Sequence, residues 1–62
     1  MTGKVLKAMR KKARMSQTEF GEEIGFSADD ICSFETTSRD LSQVNMHANR
    51  QIENFFKGES NG

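Results

Sequence analysis

Few side chains of this sequence could take part in covalent or metal chemistry. Its 62 residues include one cysteine, Cys32, and one histidine, His47, a set that matches no zinc-site spacing and excludes an internal disulfide. The sequence also has no nucleophile paired with a base and no glycine-rich phosphate loop. We therefore expect no enzyme, no metal, no cofactor and no small-molecule substrate. Cys32 is expected to be a packing residue or a partly exposed thiol, and His47 a surface residue.

The groups left for recognition are polar side chains on a short predicted helix. The stretch GFSADDICSFE, residues 25–35, contains three acids and no base. The acids of this stretch are part of a wider pattern, because basic and acidic residues are segregated along the chain although the net charge is zero. Residues 1–15 have six bases and no acid, and residues 16–35 have six acids and no base. A surface for nucleic acid or for an acidic partner explains the basic part, and so does a solvated helix face.

Length and composition predict one small domain with a thin core. With 34% hydrophobic residues and no tryptophan or tyrosine, the chain has little apolar surface to bury. A domain of this size buries roughly 60% of the surface that its unfolded chain exposes, which favours self-association. We assign residues 1–58 to the domain and residues 59–62 to a frayed tail. No apolar run suits a membrane span or a signal peptide, so we expect a cytoplasmic protein without membrane contact.

Apolar periodicity predicts helices throughout. A first helix over residues 3–13 has an inward stripe of Val5, Leu6, Met9 and Ala13. Ser16 and Glu19 have the spacing of a capping box and predict a second helix over residues 17–24. Its inward residues are Phe20 and Ile24, Gly21 lets another helix approach, and Gly25 ends the helix in the left-handed conformation.

The same pattern repeats after Gly25. Ser27, with Asp30 three residues later, predicts the start of a third helix whose apolar face is Ile31 and Phe34. Residues 36–41 are polar and predict a loop, after which Ser42 caps a fourth helix ended by Gly58. The apolar stripe of that helix consists of Val44, Ala48, Ile52, Phe55 and Phe56. The predicted fold class is a small all-α domain of four helices, with five as the alternative.

The spacing of these features resembles the lambda-repressor and Cro class, the XRE-like helix-turn-helix DNA-binding domains, over residues 5–42. The resemblance rests on Leu6, Met9 and Arg10 and on the string MSQTEFGEEIGFSADDICSFE, residues 15–35. It implies a lambda-repressor-like fold with the third helix in the DNA major groove. It also implies a structural ion pair between Arg10 and Glu35.

The resemblance further implies which side chains meet DNA. The base-reading positions are Ala28, Asp29 and Ser33. The positions that contact the phosphate backbone share polar or basic side chains, and they are Ser16, Gln17, Ser27, Ser38, Arg39, Lys4, Lys7 and Lys11.

Two features depart from the family pattern. Thr37 stands where a glycine usually follows the recognition helix, and a β-branched residue disfavours a left-handed cap. Asp29 and Asp30 replace uncharged residues, and three interpretations of them stay open. They stabilise the positive end of the helix, or Asp29 accepts a hydrogen bond from cytosine N4, or this face binds a basic protein.

The predicted fourth helix supplies a further contact surface. Two adjacent phenylalanines do not easily face one small core, so we expect Ile52, Phe55 and Phe56 to contact a second subunit or a partner. The leading hypothesis is a transcriptional regulator, such as a repressor, that binds double-stranded DNA as a homodimer on an inverted repeat. The alternative is a protein-interaction module, an anti-repressor or co-regulator, that uses the acidic third helix or the Phe55 and Phe56 end.

Overall fold

The computed structural model describes the backbone of residues 1–60 and the side chains of residues 1–57. Five helices follow one another along the chain: α1 Gly3–Lys12, α2 Gln17–Ile24, α3 Ala28–Thr36, α4 Leu41–Val44 and α5 Met46–Ser60. Within the described backbone, the extended pairing is confined to an isolated bridge between Thr2 and Asp40. The predicted all-α class is confirmed, with five helices instead of four.

Helix α1 turns a narrower apolar stripe to the core than predicted. Leu6 is fully buried, and Met9 and Ala13 pack against the core. Val5, however, is 45% exposed, so its place in the stripe was wrong. Each residue turns the helix by about 100°, so a helix that directs Leu6 and Arg10 inward directs Val5 towards solvent.

Helices α2 and α3 begin with matching capping boxes, as predicted. The Ser16 hydroxyl accepts from the Glu19 amide at 3.0 Å, and the Glu19 carboxylate accepts from the Ser16 amide at 2.9 Å. Ser27 and Asp30 form the same pair of bonds at the start of α3. Gly25, with a φ of 83°, ends α2 in the left-handed region, which residues with a Cβ seldom adopt. These local bonds fix where both helices begin and where α2 ends.

Gly21 admits a close neighbour, but that neighbour is the backbone of the turn and not a helix. A Cβ atom at Gly21 would lie 2.3 Å from the carbonyl oxygen of Phe26. The Phe26 amide in turn donates to the Gly21 carbonyl at 2.8 Å. The missing side chain therefore lets the chain fold back tightly between α2 and α3.

The predicted fourth helix begins at a different capping residue and is divided into two helices, α4 and α5, so the prediction was wrong on both points. Asp40, not Ser42, caps α4, and its carboxylate accepts from the Ser42 amide at 2.9 Å. Asn45 then adopts an extended conformation, and its side chain accepts from the Ala48 amide at 3.0 Å to begin α5. Aspartate and asparagine side chains compete with the backbone for such bonds, which favours helix ends over helix interiors. The break leaves Val44 42% exposed, outside the apolar stripe.

The predicted helix end at Gly58 is also wrong, because α5 continues to Ser60. The predicted frayed tail overlaps these last helical residues, and its final two residues, 61 and 62, lie outside the described residues. Helix α3 packs on α1 and α2, and α5 packs on α4 and α2. All five helices contribute to the core, whose buried apolar residues are Leu6, Phe20, Ile24, Ile31, Phe34, Leu41, Ala48, Ile52 and Phe56.

The two adjacent phenylalanines both pack inside the domain. The ring of Phe20 stacks on Phe56 and meets Phe55 edge-on, with centroids 5.5 Å apart in each pair. Ile52 is fully buried and Phe56 is 7% exposed. The assignment of Ile52 and Phe56 to a subunit or partner contact was therefore wrong, because both side chains are buried in the core. Phe55 is half-buried and retains some exposed surface.

We expect Gly21→Ala to destabilise the domain by about 1–3 kcal/mol, because the new methyl group collides with the Phe26 carbonyl. Urea denaturation followed by circular dichroism measures the change. Thr18→Ala is the matched control, because Thr18 is exposed on the same helix and such surface changes are worth about 0.5 kcal/mol or less. Equal stability of the two variants would show that the turn is looser than described.

Candidate nucleic-acid interface

A buried ion pair joins α1 to the end of α3. The Arg10 Nε donates to Glu35 Oε2 at 2.5 Å, and a second guanidinium nitrogen donates to Oε1 at 3.2 Å. The two side chains are 10% and 2% exposed. A third guanidinium nitrogen donates to the Met15 carbonyl at 2.8 Å, at the entrance to α2. The predicted Arg10 and Glu35 pair is thus present.

Gln17 completes this arrangement, which the sequence did not indicate. Its side-chain amide donates to Glu35 Oε1 at 3.1 Å, so the first residue of α2 is tied to the last turn of α3. No buried side-chain nitrogen or oxygen of the described residues lacks a partner. We call Arg10, Gln17 and Glu35 the central triad. It fixes the positions of α1, α2 and α3 relative to one another by directional bonds.

The outward side of α3 contains two of the three predicted base-reading residues. Asp29 and Ser33 are exposed and stand four residues apart, so they lie one turn apart on the same face. Ala28, at the first position of the helix, is half-buried. The two aspartates differ. The Asp30 carboxylate accepts from the Ser27 amide at 3.3 Å, whereas that of Asp29 has no hydrogen-bond partner among the described residues.

The predicted phosphate contacts at the two helix starts keep donors available. The hydroxyls of Ser16 and Ser27 act as acceptors within their capping boxes, and the hydroxyl proton of Ser27 can still be donated. Gln17 uses one amide hydrogen on Glu35 and has a second. Because the central triad holds Gln17, this second hydrogen has a restricted direction.

The remaining predicted contacts are exposed on other elements. Ser38 and Arg39 lie in the loop between α3 and α4, where the Arg39 amide donates to the Thr37 hydroxyl at 3.2 Å. Thr37 ends α3 with φ −69° and ψ 143°, so the cap is extended and not left-handed, as its β-branch led us to expect. The exposed lysines of α1, Lys4, Lys7 and Lys11, extend along about 10 Å of one helix side.

Two carboxylates at helix starts have shifted pKa values. Hydrogen bonds from the Ser16 amide and hydroxyl lower the pKa of Glu19 below its usual 4.5. Hydrogen bonds from the Ser42 hydroxyl and amide lower the pKa of Asp40 below 3.8, and the Met1 amino group, 3.3 Å away, acts in the same direction. In both cases the helix start binds the ionised form.

Comparison of the chain with family models, with curated proteins and with solved structures gave no match. None of the helices within the described part of the chain has the length and apolar character needed to cross a membrane. A search of the same residues for three or more grouped histidine, cysteine, aspartate or glutamate side chains found no arrangement that would hold a metal ion.

We expect Arg10→Met to cost about 3–5 kcal/mol, because it leaves the buried Glu35 carboxylate without its cation. The double variant Arg10→Met/Glu35→Leu removes both charges and should recover most of the lost stability. Thermal denaturation of the single and double variants measures this. Lys7→Met is the control, since Lys7 is exposed on the same helix. An Arg10→Met protein as stable as this control would contradict the structural role of the triad.

Acid should destabilise the domain through its capping carboxylates. Because the folded-state pKa values of Glu19 and Asp40 lie below 4.5 and 3.8, the unfolded chain binds more protons in acid. Their contribution is complete above these values and is lost as the pH falls through the lower folded pKa values. The denaturant concentration at the unfolding midpoint should decrease as the pH is lowered from about 6 to about 2.5. The decrease should be smaller in Glu19→Gln, because glutamine keeps a capping-box side chain but does not titrate. If the midpoints of the wild type and of Glu19→Gln decreased equally with pH, the acid sensitivity would come from groups other than Glu19.

Proposed function

We propose that this protein is a sequence-specific DNA-binding transcriptional regulator that acts in the cytoplasm and inserts α3 into the major groove. The observation that supports this is the α2 and α3 pair, joined by the turn at Gly25 and braced by the central triad, with the face containing Asp29 and Ser33 open to solvent. Such a pair of short helices around a tight glycine turn has the form of a helix-turn-helix.

Phosphate contacts supply most of the affinity in this proposal. The starts of α2 and α3 are exposed, and the positive end of a helix dipole favours a phosphate. The proposed donors are side chains at these starts, on α1 and in the loop after α3: Ser16, Gln17, Ser27, Ser38, Arg39, Lys4, Lys7 and Lys11. Because several cations displace condensed counterions, affinity should decrease steeply with added salt.

Asp29 determines the base preference in this proposal. A carboxylate only accepts hydrogen bonds, so its partner in the major groove is an exocyclic amino group, on cytosine or adenine. In the major groove, adenine N6 lies between two acceptors that repel a carboxylate, adenine N7 and thymine O4, whereas cytosine N4 has an acceptor, guanine O6, on one side. Asp29 therefore favours a C·G pair. Asp30 takes no part, because its carboxylate caps α3.

The protein would bind an inverted repeat as a homodimer, which places two copies of α3 on successive turns of the major groove. Since Ile52 and Phe56 are buried in the core, Phe55 is the residue of the predicted contact set that retains exposed surface for the second protomer. Its ring packs edge-on against Phe20 and Phe56.

Selection of bound sequences from random duplex DNA tests the proposal. The wild-type protein should enrich an inverted repeat with a conserved C·G pair in each half-site. Asp29→Asn should change that position to A·T, because an asparagine amide pairs with adenine N6 and N7, with a change in relative affinity of roughly tenfold or more.

Asp30→Asn is the matched control, since it removes the neighbouring charge and should leave the enriched motif unchanged. If neither the wild type nor Asp29→Asn enriches any motif, the DNA-binding proposal is wrong. If both enrich the same motif, Asp29 does not read a base.

A further inference from the structure

Two opposite charge stripes lie on different helices of the domain. The basic stripe consists of Lys4, Lys7 and Lys11 on α1, and the acidic stripe consists of Glu19, Glu22 and Glu23 on α2. All six side chains are exposed. Within each helix the spacings of three, four and seven residues place the members of a stripe on one side.

Neither stripe is neutralised by the side chains that the structure describes. The ion pairs of the described residues are Arg10 with Glu35 and the Met1 amino group with Asp40. Among residues 1–57, no stripe member has an opposite charge within 4.0 Å, although the radius of gyration is only 10.4 Å. The basic stripe and the acidic stripe are therefore available to a second molecule, and every copy of the chain has both stripes.

We propose that the basic stripe of α1 docks against the acidic stripe of α2 in a second copy of this chain. Helices that pack side by side commonly pair lysines of one with glutamates of the other in this way. Ala8 is exposed on the side of α1 that contains the basic stripe, and its small side chain lets the second helix approach. The net charge of zero leaves no general repulsion between copies.

A two-fold arrangement makes this contact twice, because α1 of each copy meets α2 of the other. It differs from the Phe55 contact proposed for the DNA-bound dimer, since it uses α1 and α2 and contains no aromatic anchor. It also uses the same lysines that the proposed function assigns to DNA phosphates. Self-association and DNA binding therefore compete for these lysines. At high protein concentration, fewer copies have a basic stripe that is free to bind DNA.

Charge reversal tests the contact by sedimentation velocity at low ionic strength. One variant is Lys4→Glu/Lys7→Glu, which gives the stripe of α1 a net negative charge, like that of the native acidic stripe. The other is Glu22→Lys/Glu23→Lys, which leaves two basic surfaces and retains Glu19 in its capping box. Arg39→Glu/Arg50→Glu is the control, because it changes the net charge as much as the first variant but alters exposed residues outside both stripes.

The wild type and the control should self-associate at about 0.01 M salt, and the dissociation constant should rise at least tenfold by about 1 M salt. Each stripe variant alone should be monomeric, whereas an equimolar mixture should form a heterodimer from the two native stripes. Circular dichroism establishes that each variant is folded.

A monomeric wild type at low salt, a mixture that does not associate, or an association unaffected by salt would overturn the inference. Adding duplex DNA selected by the wild type separates this inference from the proposed function. Displacement of the self-associated form by that DNA supports the competition. Absence of any DNA binding rejects the proposed function and leaves the self-association result standing.

Discussion

The buried ion pair between Arg10 and Glu35 is the interaction on which the arrangement of the first three helices depends. A guanidinium and a carboxylate out of water are tolerated only when their hydrogen bonds are satisfied. Here the Met15 carbonyl and the Gln17 amide supply the further partners. Each bond has a direction, so the triad specifies one relative placement of α1, α2 and α3. The small apolar core alone would tolerate several such placements.

The sequence predicted the boundaries of α2 and α3 because their determinants lie within a few residues. Capping boxes need a serine and an acid three positions apart, and Gly25 needs no partner to adopt a positive φ. The start of α4 was not predictable in this way. Asp40 and Ser42 are both good capping residues, and the choice between them follows from contacts with Met1, whose carbonyl accepts from the Leu41 amide. A contact across about 40 residues leaves no local pattern.

The sequence accounts for the exposure of the proposed base-reading residues and for one capping bond, but not for the hydrogen bonds between helices. The exposure of Asp29 and Ser33 follows from the periodicity of the helix, and the capping role of Asp30 follows from its spacing to Ser27. The hydrogen bond between Gln17 and Glu35 joins two helices and has no sequence signature. Similarly, periodicity counts apolar positions but cannot show that one ring, Phe20, has room for two neighbours.

The proposed insertion of α3 into the major groove is compatible with its acidic composition, because two of its three carboxylates have partners within the domain. Glu35 pairs with Arg10, and the Asp30 carboxylate accepts from the start of its own helix, so Asp29 is the acid of α3 that remains for the proposed groove contact. A carboxylate there loses water and regains a hydrogen bond only when an amino group faces it. Incorrect base pairs leave it unpaired. Asp29 would thus provide specificity by penalising incorrect sites more than by strengthening the correct one, and affinity must come from phosphate contacts elsewhere on the domain.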